Sequence, residues 1–261
     1  MQSTSLLVAF ALLSAPALAQ DPGALRARHA QLKEQLAHNA FGRALHVDSI
    51  AEGGSHRGEI HAVIEQPYGT VAAGLGAARH WCDILALQVN VKRCDATDDA
   101  VAASVTRRAR DRVEDAHRIE FRFEAPARRA DYLHVTLRAP SGPVGTRDYE
   151  ILVQAAPLDA GRTFLHMTYA YKLGSMARLA MDAYLAGSGR DKKGFTVDGG
   201  PRGVVERSAM RYYLAVDAFL AAPDLEPRLR RWYTETARYP QLREQITLEQ
   251  YVEMKRRQAS G

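Results

Sequence analysis

Residues 58–71 read GEIHAVIEQPYGTV and pass within a few residues from a strand pattern to a helix start. Apolar side chains at positions 60, 62 and 64 alternate with their neighbours, which is typical of a strand with one buried face. Pro67 follows, and proline is favoured in the first turn of a helix because it has no N–H to leave unpaired. The stretch therefore predicts a strand and then a helix that continues to about Ala78.

Four later segments alternate in the same way and predict further strands. In residues 117–125 the side chains of Ile119, Phe121 and Phe123 are separated by charged ones, so one face should be buried and the other solvated. The pattern continues in residues 132–139, 147–154 and 163–173, with glycine-containing turns between these segments. Closely spaced strands joined by turns favour an antiparallel sheet.

After Gly174 the spacing of apolar residues changes to that of a helix. Helices are predicted for residues 176–185 and about 204–220, with a glycine-rich segment between them, and near residues 22–38, 225–236 and 248–258. The expected buried face of the first is Met176, Leu179, Ala180, Tyr184 and Leu185, and that of the second is Val205, Tyr212, Tyr213, Val216, Phe219 and Leu220. The predicted fold class is α+β: an antiparallel sheet with a long amphipathic helix packed across it and extra helices at both ends.

This order of elements resembles the START-like, or SRPBCC, superfamily, whose fold is called a helix grip. The resemblance rests on residues 58–71 leading to His80 and Trp81, and on the late helix at 204–220. It implies that the late helix lies across an open sheet and encloses a cavity. Similar segments also occur in exported bacterial proteins of unassigned function; here they read HWCDILALQVNVKRC (80–94), GTRDY (145–149) and RGVVERSAMRYYLAVDA (202–218). Fold by itself does not determine function.

The N-terminus has the layout of a cleaved export signal. Residues 6–13 (LLVAFALL) are apolar, and Ala17-Leu18-Ala19 supplies the small-x-small pattern for cleavage before Gln20. The apolar run is too short to span a bilayer, which takes about 20 residues. We therefore expect a periplasmic or secreted protein; the alternative is an apolar N-terminus of a cytosolic one.

These boundaries divide the chain into four parts. The signal peptide occupies residues 1–19, and an N-terminal helix lies within residues 20–40. The helix-grip-like domain covers residues 41–222, and a C-terminal helical extension follows at 223–261.

The chain has two cysteines, Cys82 and Cys94. In an oxidising compartment the expected state is one disulfide, which stabilises by roughly 3 kcal/mol in the chain-entropy model. A zinc site with His80 is an alternative, but no second pair of ligands completes the four that structural zinc needs. A reactive thiol is a further alternative, and no Cys-x-x-Cys motif supports it.

The net charge is +5, with 35 basic and 30 acidic residues. Because the two signs are interleaved along the chain, the pattern indicates solvated faces and argues against nucleic-acid binding. Short basic clusters at residues 228–231 and 255–257 leave a weak association with an anionic membrane surface, or docking on an envelope partner, as an alternative function.

Tyrosines concentrate on the predicted inward face of two neighbouring strands. One strand offers Arg147, Tyr149, Ile151 and Val153; the other offers Leu165, Met167, Tyr169, Tyr171 and Leu173; Tyr212 on the long helix should face them. Hydroxyls and a guanidinium beside apolar side chains suit a ligand with an apolar body and a polar head. The predicted ligand-binding residues are Arg147, Tyr149, Met167, Tyr169, Tyr171 and Tyr212. The alternative is an ordinary core with Arg147 at the edge of the sheet.

Catalysis has little support from motifs. The nine histidines are scattered, none in a metal-ligand spacing, and His61, His134 and His166 are expected to point outward. Serines lack a nucleophile motif, so the acid–base candidates are Asp83, His80 and Glu206. Asp83 is also explained as a helix cap or surface ion-pair partner, and Glu206 as a surface partner of Arg202. No cofactor or metal is predicted. The sequence thus favours an exported binder of a lipid-like small molecule, with an envelope interaction protein or an enzyme in the same scaffold as alternatives.

Overall fold

The computed structural model describes residues 21–259, and its centre is one antiparallel sheet. The sheet has eight strands, in the spatial order β1-β2-β8-β7-β6-β5-β4-β3. Their bounds are β1 Leu45–Glu52, β2 Ser55–Ile64, β3 Val91–Ala96, β4 Ala100–Val105, β5 His117–Arg129, β6 Tyr132–Ser141, β7 Thr146–Pro157 and β8 Thr163–Leu173. The meander predicted from the alternation is confirmed. Strands β3 and β4 were not predicted, because their buried side chains are small or interrupted by charges.

Within residues 21–259, eight α-helices surround the sheet. They are α1 Pro22–Gln31, α2 Lys33–Ala37, α3 Tyr68–Leu75, α4 Ala78–Ala86, α5 Ser175–Ala186, α6 Gly200–Ala221, α7 Leu225–Ala237 and α8 Leu248–Ala259. The long helix α6 packs across β1, β2 and β8, as the predicted fold class requires, and α4 packs on β3 and β4. Helix α7 packs on α6, and α8 packs on α7. The α+β fold with a helix across the sheet is therefore confirmed.

Glycine at position 58 allows α6 to approach the sheet. A Cβ atom there would lie 2.9 Å from the Cβ of Ala209 and 3.0 Å from the carbonyl oxygen of Val205, both in α6. The inward side chains of the central strands fill the space beneath the helix. Val135, Ile151, Val153 and Met167 are completely buried there.

The opposite face of the sheet is covered by α1 and α2. Leu25 and Leu36 of these helices, with Leu32 between them, pack with Tyr132 and Phe164 of the sheet in a second apolar cluster. The histidines predicted to point outward do lie on this face. However, His61, His134 and His166 are buried rather than solvated, in part because the N-terminal helices cover that face.

Helix α5 differs from its predicted orientation. Met176 and Leu179, expected on its buried face, are 67% and 65% exposed, and Ala177 is its buried residue. The predicted signal peptide lies outside the described residues. Within residues 21–259, no helix is both long and apolar enough to cross a membrane.

Candidate ligand site

Four of the predicted binding residues form one aromatic cluster between the sheet and α6. Tyr149 of β7 and Tyr169 and Tyr171 of β8 have ring centroids 5.6–6.2 Å apart. Tyr212 of α6 stacks on Tyr169 with centroids 4.8 Å apart. Met167 is on the same face of β8, two residues from Tyr169, and is completely buried. The structure therefore brings five of the six predicted residues to one face.

The hydroxyls of this tyrosine cluster are partly paired among themselves. Tyr149 donates to the hydroxyl of Thr146 at 2.8 Å, and the hydroxyls of Tyr169 and Tyr212 hydrogen-bond with each other. Burial raises the pKa of all four tyrosines above the usual value, so the hydroxyls stay protonated. The cluster can donate and accept hydrogen bonds but supplies no phenolate base at neutral pH.

Arg147 does not join the cluster, and its predicted inward placement is wrong. The pairing of β7 with β8 shifts between Arg147 and Glu150, and Asp148 between them has a φ of 51°. On the β8 side Arg147 is opposite Lys172, and both side chains are exposed. Such an irregularity breaks the simple alternation on which the prediction depended.

A different, buried guanidinium acts electrostatically on the tyrosine cluster. Arg207 of α6 is 4% exposed and close enough to Tyr171 to lower the pKa of its hydroxyl, in opposition to burial. It donates to the carbonyl oxygens of Lys192 and Lys193 at 3.0 and 2.8 Å, and to the hydroxyl of Tyr184 at 3.3 Å. Periodicity could not identify Arg207, because burial of an arginine on a helix depends on which loop covers it.

Glu206 is likewise buried, and the predicted surface pair with Arg202 is wrong. Its carboxylate is 0% exposed and accepts from the hydroxyl of Ser49 and from the backbone N–H groups of Phe195 and Thr196. Arg202 donates to the same serine hydroxyl at 3.0 Å. Glu206 and Arg207, two neighbouring charged residues of α6, therefore both bind the glycine-rich segment that follows α5.

Helix α5 covers the end of the sheet where the tyrosine cluster lies. It contacts β8, α6 and the short turn Pro143–Gly145, which precedes the strand that carries Tyr149. It buries little of its own surface, and few buried contacts are the mark of a segment with a low free energy of opening.

Two of the surface pockets formed by residues 21–259 lie elsewhere. One of about 260 Å³ is lined by Arg43, Asp217 and Arg231 near the end of α6, and one of about 340 Å³ by Phe41, Phe195 and Tyr239. Neither is lined by a predicted binding residue. Because Tyr149, Tyr169 and Tyr171 are themselves buried, a ligand there must displace α5 or the tyrosine rings.

The acid–base candidates of α4 have structural partners. Asp83 pairs with Arg228 of α7 at 3.4 Å, and the Nδ1 of His80 contacts the carbonyl oxygen of Gly74 at 2.9 Å. Cys82 and Cys94 form the predicted disulfide, with sulfurs 2.06 Å apart, which removes both thiols from any zinc site. The helix-cap explanation of Asp83 is wrong, because Asp83 lies inside α4; its ion-pair explanation is confirmed.

The basic C-terminal clusters are largely neutralised. Arg228, Arg230 and Arg231 pair with Asp83, Glu226 and Asp217, while Arg256 and Arg257 pair with Glu226 and Glu253. Lys255 is buried. These residues therefore do not form an uncompensated basic surface, which weakens the membrane-surface alternative.

A second polar cluster, which the sequence analysis missed, lies on the opposite face of the sheet. The Nε2 of His166 is 3.1 Å from a carboxylate oxygen of Glu59, and its ring stacks on that of His61. Burial raises the pKa of Glu59, but the hydrogen bond and charge of His166 outweigh it and lower that pKa to about 2. Burial, reinforced by the charges of His166 and Arg28, lowers the pKa of His61 to about 2. Searches for local spacing miss this cluster because its members meet only through strand pairing.

The fold is similar to those of several solved structures. Human StAR-related lipid transfer protein 5 matches 77% of this chain and 96% of its own, at 12% identity and a TM-score of 0.39. A conserved protein from Geobacillus kaustophilus matches 63% and 95%, at 11% identity and a TM-score of 0.39. Norcoclaurine synthase from Thalictrum flavum, in complex with dopamine and hydroxybenzaldehyde, matches 52% and 77%, at 10% identity and a TM-score of 0.36.

No protein-family model and no curated protein matches the sequence. At these identities and TM-scores the structural likeness carries no argument about function. The function must be inferred from the geometry of the chain itself.

Proposed function

We propose that this chain is an exported binding protein of the START-like superfamily that holds an amphipathic small molecule at the tyrosine cluster. The observation that supports it is the meeting of four tyrosines from β7, β8 and α6 beneath a weakly anchored helix, with the charge of the buried Arg207 acting on Tyr171. The chemistry is sequestration. Burial of the apolar body supplies about 25 cal/mol per Å² of area removed from water.

The polar head of the ligand would be oriented by hydroxyls and a guanidinium. Tyr169 and Tyr212 can exchange their mutual hydrogen bond for bonds to a ligand oxygen at little net cost. Arg207 carries a permanent positive charge, which favours a carboxylate or another anionic head. Binding requires that α5 move away from the turn Pro143–Gly145, and the exposed Met176 and Leu179 then face the entering chain.

Purification without detergent followed by native mass spectrometry is the first test, since a retained ligand would appear as a stoichiometric mass increase. The quantitative test is a titration with the fluorescent fatty acid dansyl-undecanoate. We expect micromolar binding, a loss of several-fold in Tyr169→Phe, and a larger loss in Tyr212→Ala because a stacked ring is removed.

Arg147→Ala is the matched control, because Arg147 is exposed and outside the cluster; it should bind the probe as wild type does. Far-UV circular dichroism checks that each variant is folded. No binding to the wild-type protein, or equal binding by all variants, contradicts the proposal. An equal loss of affinity for the probe in Arg147→Ala would place the site at the outer edge of the sheet, near Arg147.

A further inference from the structure

The outer face of the sheet carries a row of imidazoles across neighbouring strands. His46 of β1 pairs with His61 of β2, and His61 pairs with His166 of β8. The row continues through Gln154 of β7 to His134 of β6. Directly opposed residues share a face of the sheet and have neighbouring Cβ atoms. Four histidines and one glutamine are thereby placed side by side.

Three donor groups converge in this row. The rings of His61 and His166 stack with centroids 4.4 Å apart, and the Nε2 of His166 is 3.1 Å from Glu59. One donor atom from each of Glu59, His61 and His166 lies within 4.8 Å of the other two. Donors around a tetrahedral zinc ion are about 3.4 Å apart, given bond lengths near 2.1 Å. Small side-chain rotations, including a tilt of one ring out of the stack, close the difference.

The hydrogen bonds around His166 leave Nε2 available as a ligand. Gln154 donates through its Nε2 to the hydroxyl of Tyr132 at 2.6 Å, so its Oε1 faces the Nδ1 of His166 at 3.0 Å. In a neutral ring the Nδ1 therefore carries the proton, and the Nε2 can bind an ion in place of its hydrogen bond with Glu59. Metal-binding histidines usually donate their other ring N–H to a hydrogen-bond partner that fixes the ring in this way.

His61 supplies an independent observation. Its side chain is 2% exposed, and its Nδ1 has no hydrogen-bond partner among residues 21–259. A buried polar atom without a partner is costly, and such atoms in native proteins call for an explanation. Coordination of an ion shared with His166 and Glu59 satisfies the ring.

Some features around the three donor groups favour the binding of an ion, and others oppose it. The Nε of Arg57 forms an ion pair with the other oxygen of Glu59 at 2.7 Å, which leaves the first oxygen facing His166. The Glu59 side chain is 21% exposed, so an ion can reach the cluster from solvent. Arg28 of α1 acts electrostatically on His46 and His61, and with Arg57 it opposes the binding of a cation. The site should therefore bind more weakly than one without neighbouring cations.

We propose that Glu59, His61 and His166 bind one divalent first-row transition-metal ion of the zinc class on the outer face of the sheet. Two imidazoles and a carboxylate suit Zn²⁺ and its neighbours, whereas Ca²⁺ and Mg²⁺ prefer oxygen ligands alone. This site is separate from the tyrosine cluster, which lies on the other face.

The test is calorimetric titration of the purified full chain with Zn²⁺, supported by the visible absorption of bound Co²⁺. We expect one ion per chain and a loss of affinity greater than about 10-fold in His61→Gln, His166→Gln and Glu59→Gln. Gln154→Leu should weaken binding by about 10-fold through the tautomer of His166, and Arg28→Gln should strengthen it. Glu59→Gln keeps the side-chain volume at a partly exposed position, so it remains informative if a histidine variant does not fold.

His80→Gln is the matched control and should bind as wild type does. Failure of the wild-type protein to bind Zn²⁺ or Co²⁺ overturns the proposal. So does binding that survives all three ligand variants, or binding that is lost in His38→Gln, because the exposed His38 and Glu34 are then the site. None of these outcomes depends on the dansyl-undecanoate titration, so the two proposals can fail separately.

Discussion

The carboxylate of Glu206 accepts a 2.9 Å hydrogen bond from the backbone N–H of Thr196, which ties the glycine-rich segment after α5 to α6. The same carboxylate accepts from the hydroxyl of Thr196, the N–H of Phe195 and the hydroxyl of Ser49. A fully buried carboxylate is tolerated because four donors replace its water shell. Glu206 is thus the link between β1, α6 and the glycine-rich segment that follows α5.

We expect Glu206→Gln to lower the free energy of unfolding by about 2 kcal/mol. The glutamine retains the volume but replaces one accepting oxygen with a donor that faces other donors, and bonds to charged groups contribute about 1.5–3 kcal/mol. Urea denaturation measures the loss, and hydrogen exchange at Phe195 and Thr196 should accelerate selectively. Glu253→Gln, which affects only an exposed pair with Arg257, should cost less than about 0.5 kcal/mol. Equal effects of the two substitutions contradict the role given to Glu206.

The sheet could be predicted from the sequence because alternation reports directly on burial. Ile119, Phe121 and Phe123 are buried as their spacing indicates, and so are Tyr169 and Tyr171. The alternation of apolar and polar residues does not reveal where a strand contains an extra residue. The irregular pairing near Asp148 therefore placed Arg147 on the wrong face and left the guanidinium of the site, Arg207, unrecognised.

Whether the second face of the sheet is buried depends on which other elements of the chain cover it. The sequence of a single strand does not encode that. His61 and His134 alternate with apolar residues and so look solvated, yet they lie buried on the face that α1 and α2 cover. Met176 and Leu179 show the reverse: their spacing predicts burial, yet both are exposed. Their spacing is that of a buried helical face, but α5 packs through Ala177. Contacts between elements distant in sequence decide both outcomes.

A buried lysine in the last helix should make stability depend on pH. Lys255 donates to the carbonyl oxygens of Gln88 and Val91, and burial, together with the charge of Lys92, lowers its pKa to about 7 from the usual 10.5. Between these values the unfolded chain binds a proton that the folded protein has lost. The free energy of unfolding should therefore rise with pH from about 7 to about 10.5.

The rise attributable to Lys255 is at most about 5 kcal/mol, and the two carbonyl hydrogen bonds reduce it because they favour the ammonium. Urea denaturation across this pH range should show the slope in wild type and lose it in Lys255→Met. The exposed Lys193→Met should keep it. A wild-type slope that persists in Lys255→Met shows that another group is responsible.

The disulfide should contribute substantially to stability. Cys82 in α4 and Cys94 in β3 are 12 residues apart, and a link of this length stabilises by roughly 3 kcal/mol in the chain-entropy model. The double substitution Cys82→Ala, Cys94→Ala should lower the free energy of unfolding by about that amount, measured by guanidinium denaturation. Reductant should destabilise wild type to a similar extent and leave the double variant unchanged. Insensitivity of wild type to reductant would mean that the bond is absent from the purified protein.

The contact between Gly58 and α6 should not tolerate even one added methyl group. A Cβ at position 58 would press on the Cβ of Ala209 and on the backbone carbonyl of Val205, and a helix backbone cannot move aside locally. We expect Gly58→Ala to cost about 1–3 kcal/mol through displacement of α6. Denaturation measures the loss, and near-ultraviolet circular dichroism should report altered packing of Tyr169 and Tyr212. Gly69→Ala is the matched control: its new methyl group meets open space inside α3, so stability should stay the same or rise by up to about 1 kcal/mol. A Gly58→Ala protein as stable as wild type would show that the helix does not lie this close to the sheet.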